Sequence, residues 1–392
     1  MRKSALCALG LIVAALVALG LVVLSSASEV RGAMKFADPM HFVKRQAVYV
    51  ALGLVLAACV AAFDYRKWRD HWFLTFLFCA AVFAGLIAVF FFEEVKGSHR
   101  WINLGPASFQ PGEFAKLATV LAVSVWLDKA AWKVELFKNG ALCPAAIIGV
   151  MAAPVLLEPD FGSVMVIGGV GFMLMFVAGT RILHLAPIFA AGLAVVAWKV
   201  AHNANRMRRL ISHFGSSAAD AAGSAAQGAA AAVDPAAYQA DMSLVAISRG
   251  GIYGVGLSGS MQKQNYLPEA WTDFIFAVGA EEMGLIYSLA VVALFLAFFA
   301  ISVHVAAKAA DRFGRFLALG MAFIISFQAV FNLGVVCKAF PTKGMALPFF
   351  SYGGTNMLAS FFAVGIILSV GIHSLQDRRR DFVRKTVINM PD

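Results

Sequence analysis

Four stretches of this 392-residue chain gather side chains suited to acid–base or anion chemistry. In Leu267-Pro-Glu-Ala-Trp-Thr-Asp-Phe-Ile-Phe276, Asp273 sits where a long loop enters a strongly apolar run. Trp271, Phe274 and Phe276 flank its carboxylate; partial desolvation there raises a carboxyl pKa and suits a general base. Thr272 and Asp273 are equally able to cap a helix starting at Phe274. In Gln110-Pro-Gly-Glu-Phe-Ala-Lys116, Pro111 starts a helix and the i,i+3 spacing puts Glu113 and Lys116 on one face. That pair either locks the helix end or helps hold an anionic head group. Pro159-Asp160-Phe-Gly162 is a tight turn between two apolar runs, in which Asp160 is either punctuation or part of a site. Segment 340–354 has two prolines, Lys343, and Ser351-Tyr-Gly-Gly354 before a last apolar run. Lys343 with nearby backbone N–H groups suits a phosphate. Glu281 and Glu282 lie two turns beyond Asp273, where a carboxylate needs a partner or a water-filled cavity. At least one is expected to face inward.

Other chemistries are excluded. Residues 254–259 fit GxGxxG letter for letter, but no strand-to-helix unit surrounds them, so they read as loop glycines. Lys343-Gly344 lacks the GK[ST] ending of a phosphate loop, and neither HExxH nor GxSxG occurs. The five cysteines (Cys7, Cys59, Cys79, Cys143, Cys337) show no CxxC or metal-ligand spacing, so neither a disulfide framework nor a zinc site is expected.

The elements that position these residues follow from composition. The chain is 61% hydrophobic and 14% charged, far too apolar for a soluble domain, where about 25% charge is usual. Runs long enough to span a bilayer fall near 5–27, 47–63, 73–92, 114–128, 141–157, 162–179, 184–201, 273–305, 315–336 and 355–374. The expected fold is an all-α polytopic membrane protein of about ten transmembrane helices, a single integral membrane domain over 1–392. The first run follows Met1-Arg2-Lys3 and is long enough to be a span rather than a signal peptide. With both termini cytoplasmic, the inner segments hold 17 Lys and Arg, and the outer segments hold 13 in more than twice the length. The net charge of +10 thus reads as topology, not nucleic-acid binding. The largest outer loop, 202–272, joins spans seven and eight. Its alanine-rich 216–237 stretch offers little to pack, whereas 241–259 mixes apolar residues and glycines as an interfacial or re-entrant segment does.

Taken in order, Trp101-Ile-Asn-Leu-Gly105 with Gln110 to Lys116, Pro159 to Gly162, Leu267 to Ala277, and Pro341-Thr-Lys-Gly344 through Ser351-Tyr-Gly-Gly354 resemble the SEDS proteins (shape, elongation, division and sporulation). The resemblance runs from the first span to His373, and Pro-Thr-Lys-Gly is closer to the cell-division branch than to the elongation branch. It implies a peptidoglycan glycosyltransferase of the bacterial cytoplasmic (inner) membrane that polymerises lipid II on the outer face. The family's essential aspartate then falls on Asp273, its helix-face pair on Glu113 and Lys116, and its outer-turn aspartate on Asp160. Lys116, Lys343, Arg100 and Arg206 become candidates for stabilising the leaving pyrophosphate, and Ser351 a substrate-binding candidate. Implied partners are lipid II, a class B penicillin-binding transpeptidase and other divisome proteins. The pyrophosphate chemistry allows a bridging divalent cation (Mg or Mn), although no ligand cluster in the sequence marks one; no other cofactor is implied. A lipid II flippase and a non-catalytic scaffold are the alternatives. The chain departs from the family in its alanine-rich run, in Arg249 before Gly250-Gly251, and in Glu158 where Gln is commoner.

Overall fold

A computed structural model describes residues 3–94, 99–103, 105, 108–158, 160–202, 207, 235–264, 267–341 and 344–388. The described residues form α1 (Lys3–Phe36), α2 (His41–Ala62), α3 (Lys67–Asp70), α4 (Trp72–Ala88), α5 (Pro111–Lys129), α6 (Cys143–Leu157), α7 (Phe161–Ala178), α8 (Ile182–Ala201), α9 (Pro235–Gly250), α10 (Ile275–Ala307), α11 (Arg312–Val336) and α12 (Gly354–Ile388). Among them the strands are one short antiparallel pair, β1 (Ile102–Asn103) and β2 (Ser108–Phe109).

Ten of these helices coincide with the ten expected spans. Among the described residues, nine stretches are long and apolar enough to cross a membrane. The tenth span is α5, which carries Glu113, Lys116, Asp128 and Lys129 and is more charged than the others. It tolerates those charges because it is central, packed against α4, α6, α7, α11 and α12, so that neighbouring helices rather than lipid meet its polar groups. At the opposite extreme, α8 lies at the edge with only Leu185 buried. Along the tight α2–α12 contact Gly53 leaves room for the Phe361 ring, the small-residue device of membrane helices.

Several boundaries differ from those expected. α1 continues nine residues past its apolar run to Phe36. At 1.5 Å per residue its 34 residues span about 51 Å, well over a hydrocarbon core of about 30 Å. Apolarity marks where a helix leaves lipid, not where it ends. α12 likewise runs past residue 374 to Ile388. α6 is preceded by a π-helical turn, Phe137–Leu142. The large loop contains the helix α9, which packs on α10 and α11. Its alanine-rich part lies outside the described residues from 216 to 234.

Capping fixes the helix ends nearest the site. Pro111 opens α5 with Glu113 in the first turn, where a negative charge complements the helix dipole. α7 begins at Asp160, whose side chain accepts from the Ser163 N–H, and ends on left-handed Gly179. At the far end of the bundle, Asp311 caps α11 and lies 3.2 Å from Arg69 and 3.7 Å from Arg66. Arg69 reaches Asp128 at the end of α5 (3.6 Å), and Arg66 pairs with Asp377 of α12. Tyr65 donates to Asp311 (3.0 Å); burial, then the Asp311 charge, push its phenol up to about 12. This ion-pair network clamps the end opposite Asp273.

Candidate active site

Asp273 is half-buried and sits two residues before α10. The helix cap position belongs to Phe274, which makes no side-chain cap hydrogen bond, so neither Thr272 nor Asp273 occupies it. The structure instead straps this segment to the loop before α12. Ser351 Oγ donates to the Thr272 carbonyl (2.5 Å) and accepts from Leu347 N (2.7 Å). Tyr352 N donates to the Trp271 carbonyl (3.0 Å). Asn332 Nδ2 of α11 donates to the carbonyls of Asp273 (2.8 Å) and Met345 (2.6 Å), tying the two segments through a third element. Gln46 of α2 donates to Ser351 O (3.1 Å). Gly344 closes the arrangement: a Cβ there would lie 2.4 Å from Asp273 Oδ2, so any larger residue would push the carboxylate or the loop out of place. Arg31 stacks over the Trp271 ring at 4.3 Å.

The other candidates meet the same end of the bundle. Gln110 N, entering α5, donates to Thr355 Oγ1 at the start of α12 (3.1 Å), and Thr355 donates to Ser108 O (3.2 Å). One turn into α5, Lys116 Nζ lies 2.7 Å from Glu113 Oε2 with the lysine side chain 1% exposed. The i,i+3 pairing expected from sequence is thus formed and buried, and the Lys116 charge is met from inside the protein. Glu113 lines a small cavity with Leu117, Gln328, Ser360 and Ala363. Across from Gly112, the α7 entrance carries Asp160, which accepts from Ser163 Oγ at 2.7 Å. Asp160 therefore does cap a helix, while standing beside the α5 entrance. Arg100 Nε donates to the Glu158 carbonyl (3.3 Å). Glu158 itself is buried; desolvation, reinforced by Asp160 and opposed by Arg100, raises its carboxyl to about 8, so it is largely protonated at neutral pH. Lys343 and Arg206 lie outside the described residues.

The model of the FtsW, RodA and SpoVE cell cycle protein family matches residues 7–376. The chain belongs to this family. Among its relatives, a protein of Trichlorobacter lovleyi named probable peptidoglycan glycosyltransferase FtsW is 36% identical over 361 residues, covering 92% of this chain and 91% of that one. The stage V sporulation protein E of Bacillus subtilis is 32% identical over 359 residues, with 92% and 94% coverage. Of solved structures, one described as the structural coordination of polymerization and crosslinking by a peptidoglycan synthase complex superposes with a TM-score of 0.72 at 28% identity. It covers 94% of this chain and 98% of that one. Rod shape determining protein RodA of Thermus thermophilus gives 0.65 at 26%, covering 93% and 96%.

Sequence reasoning missed buried polar residues packed around these candidates. Asn332 and Gln328 lie one turn apart on α11, both buried; polar amides four residues apart in an apolar run were the available signal. Gln46 and Ser26, buried in α2 and α1, gave only the weaker signal of isolated polar residues.

Proposed function

We propose that the protein is a peptidoglycan glycosyltransferase that joins lipid II units into glycan strands. The observation that carries this reading is Asp273, whose backbone segment is held by hydrogen bonds from Asn332 of α11 and from Ser351 and Tyr352 before α12, at the end where α5, α7, α10 and α12 begin. A preorganised base at a half-buried position is what attack by a sugar hydroxyl requires. Asp273 accepts, or orients, the acceptor hydroxyl proton as that oxygen bonds to the donor's anomeric carbon. The bond to pyrophosphate breaks, and undecaprenyl pyrophosphate leaves. One base and direct attack invert the anomeric centre, so no carboxylate nucleophile is needed. Arg100 at this end, with Lys343 and Arg206, supplies positive charge for the leaving group; Glu113 and Lys116 act from within as a neutral, rigid pair. A divalent cation bridging the pyrophosphate would need only one or two carboxylates beside the phosphate oxygens; among the described residues no three His, Cys, Asp or Glu side chains converge to hold one by themselves.

The orientation that fits this chemistry places both termini in the cytoplasm and the Asp273 end outside, in agreement with the excess of Lys and Arg on the opposite segments. Its partner is a class B penicillin-binding transpeptidase, by analogy with the polymerizing and crosslinking complex it resembles. Relatives named FtsW favour the division role over elongation.

The test is purified protein with labelled lipid II, with and without that transpeptidase. Glycan polymer on a gel supports the reading. Lipid II crossing vesicles with no polymer under any condition contradicts it and favours transport.

A further inference from the structure

A cluster of buried charges outside the Asp273 strap lies between α1, α10 and the segment 250–264. α10 is broken at Gly284, whose φ is 70° and ψ −162°. The segment after α9 lies across that break backbone to backbone: Val255 N and Gly256 N donate to the carbonyls of Glu281 and Glu282 (both 3.0 Å), and Leu285 N donates to Gly251 O (2.9 Å). A Cβ on Gly254 or Gly284 would come within 2.4 Å of the opposing backbone, which explains why the crossing is built of glycines.

Side chains then lock the segment in place. Ser260 Oγ donates to Glu281, and Met261 N donates to Glu281 Oε1 (3.2 Å). Arg249, the unusual residue before the glycine pair, reaches Glu281 at 3.5 Å. Lys263 is 7% exposed and its ammonium sits among Ser26 Oγ (2.8 Å), Glu282 Oε1 (3.4 Å) and Glu29 Oε2 (3.5 Å). Ser26 donates in turn to Glu282 Oε1 (2.5 Å). Lys263 therefore joins two helices and the connecting segment at one point, ten residues before Asp273. Short turns carry the fixed geometry onward: Leu267 N donates to Gln262 O (2.9 Å), Thr272 N and Phe274 N to Glu269 O (3.1 and 3.3 Å).

We propose that Lys263 is a positioning residue for the glycosyl transfer: its buried ammonium pins residues 250–264 to α1 and α10 and, through the Leu267–Gln262 hydrogen bond, holds Asp273 at the geometry of attack. This rests on the glycosyltransferase reading above. A base displaced by about 1 Å loses on the order of 10²-fold in rate while substrate contacts elsewhere survive. The expected signature is therefore a fall in kcat with KM for lipid II little changed.

Removing Lys263 alone also strands Glu282, so a stability loss would mimic this effect. The experiment uses the full-length protein in three forms beside wild type: Lys263→Met, the double variant Lys263→Met/Glu282→Gln, and Ser26→Ala. The double variant removes the unpaired charge together with the clamp. It is expected to recover the thermal midpoint lost in Lys263→Met while its polymerisation kcat stays down by roughly tenfold or more and KM stays near wild type. Ser26→Ala keeps every charge and removes only the hydroxyl beside Lys263; it is expected to melt near wild type with kcat reduced several-fold. A double variant that polymerises at the wild-type rate, or a Ser26→Ala protein with unchanged kcat, overturns the proposal. Wild-type polymer in the same assay separates that result from failure of the glycosyltransferase reading.

Discussion

Neutralising one member of the Glu113–Lys116 pair should be far more damaging than neutralising both. The ammonium and carboxylate are 2.7 Å apart, with side chains 1% and 10% exposed. At an effective dielectric of about 20, unit charges at that distance attract by roughly 6 kcal/mol, most of which is offset by the cost of taking both out of water. The net worth of the pair is therefore small. Glu113→Gln leaves the Lys116 ammonium buried without its counter-charge, a loss of about 3–5 kcal/mol. Unfolding entropy scales with length, so for 392 residues each kcal/mol moves the midpoint by about 1 °C, and the single variant should melt roughly 3–5 °C lower. Lys116→Met should lose a similar amount, and Glu113→Gln/Lys116→Met should return to within about 1–2 °C of wild type. Thermal melts of the four proteins in one detergent close the cycle. Additive shifts in the double variant would refute the argument, because they would mean that the two charges do not depend on each other.

Glu158 makes stability pH-dependent. Its carboxyl is raised to about 8, so the folded state holds a proton that the unfolded chain releases near its ordinary value of 4.5. The contribution is fully present below about 4.5 and is lost as pH rises through about 8; the melting midpoint should fall across that window, and Glu158→Gln should flatten the slope. An unchanged slope in the variant would place the titration elsewhere. Gly344→Ala drives a methyl group to 2.4 Å from Asp273 Oδ2, so polymerisation should fall at least tenfold with the protein still inserted, as measured with labelled lipid II. Full activity would show that the loop yields. Deleting 216–234 should leave membrane insertion and expression intact, since its alanine-rich composition provides no large apolar face to bury; loss of folded protein would show that it packs.

Much of the architecture was legible because lipid enforces a simple rule: runs of apolar residues become helices. The Glu113–Lys116 pair was legible because an i,i+3 spacing is a contact within one helix. Glu281 and Glu282 were legible as carboxylates in need of partners, and both are buried and bonded. Their partners were not, since Lys263 and Ser26 meet Glu282 across 19 and 256 positions. The same holds for Ser351, which grips Thr272 from 79 positions away. Periodicity records which face of an element is buried, not what it is buried against. Helix ends beyond the apolar stretch, as in α1, escaped for a related reason: Glu29, Arg31 and Lys35 continue the helix while signalling water.

The most direct test of the account is Asp273→Asn in purified protein, assayed in parallel for glycan synthesis, lipid II binding and melting temperature. Asparagine keeps the size and most of the hydrogen bonding of aspartate but cannot take a proton. The account predicts polymerisation reduced by roughly 10²-fold or more, with binding and melting near wild type. Near-normal polymer from a well-folded Asp273→Asn protein would contradict it.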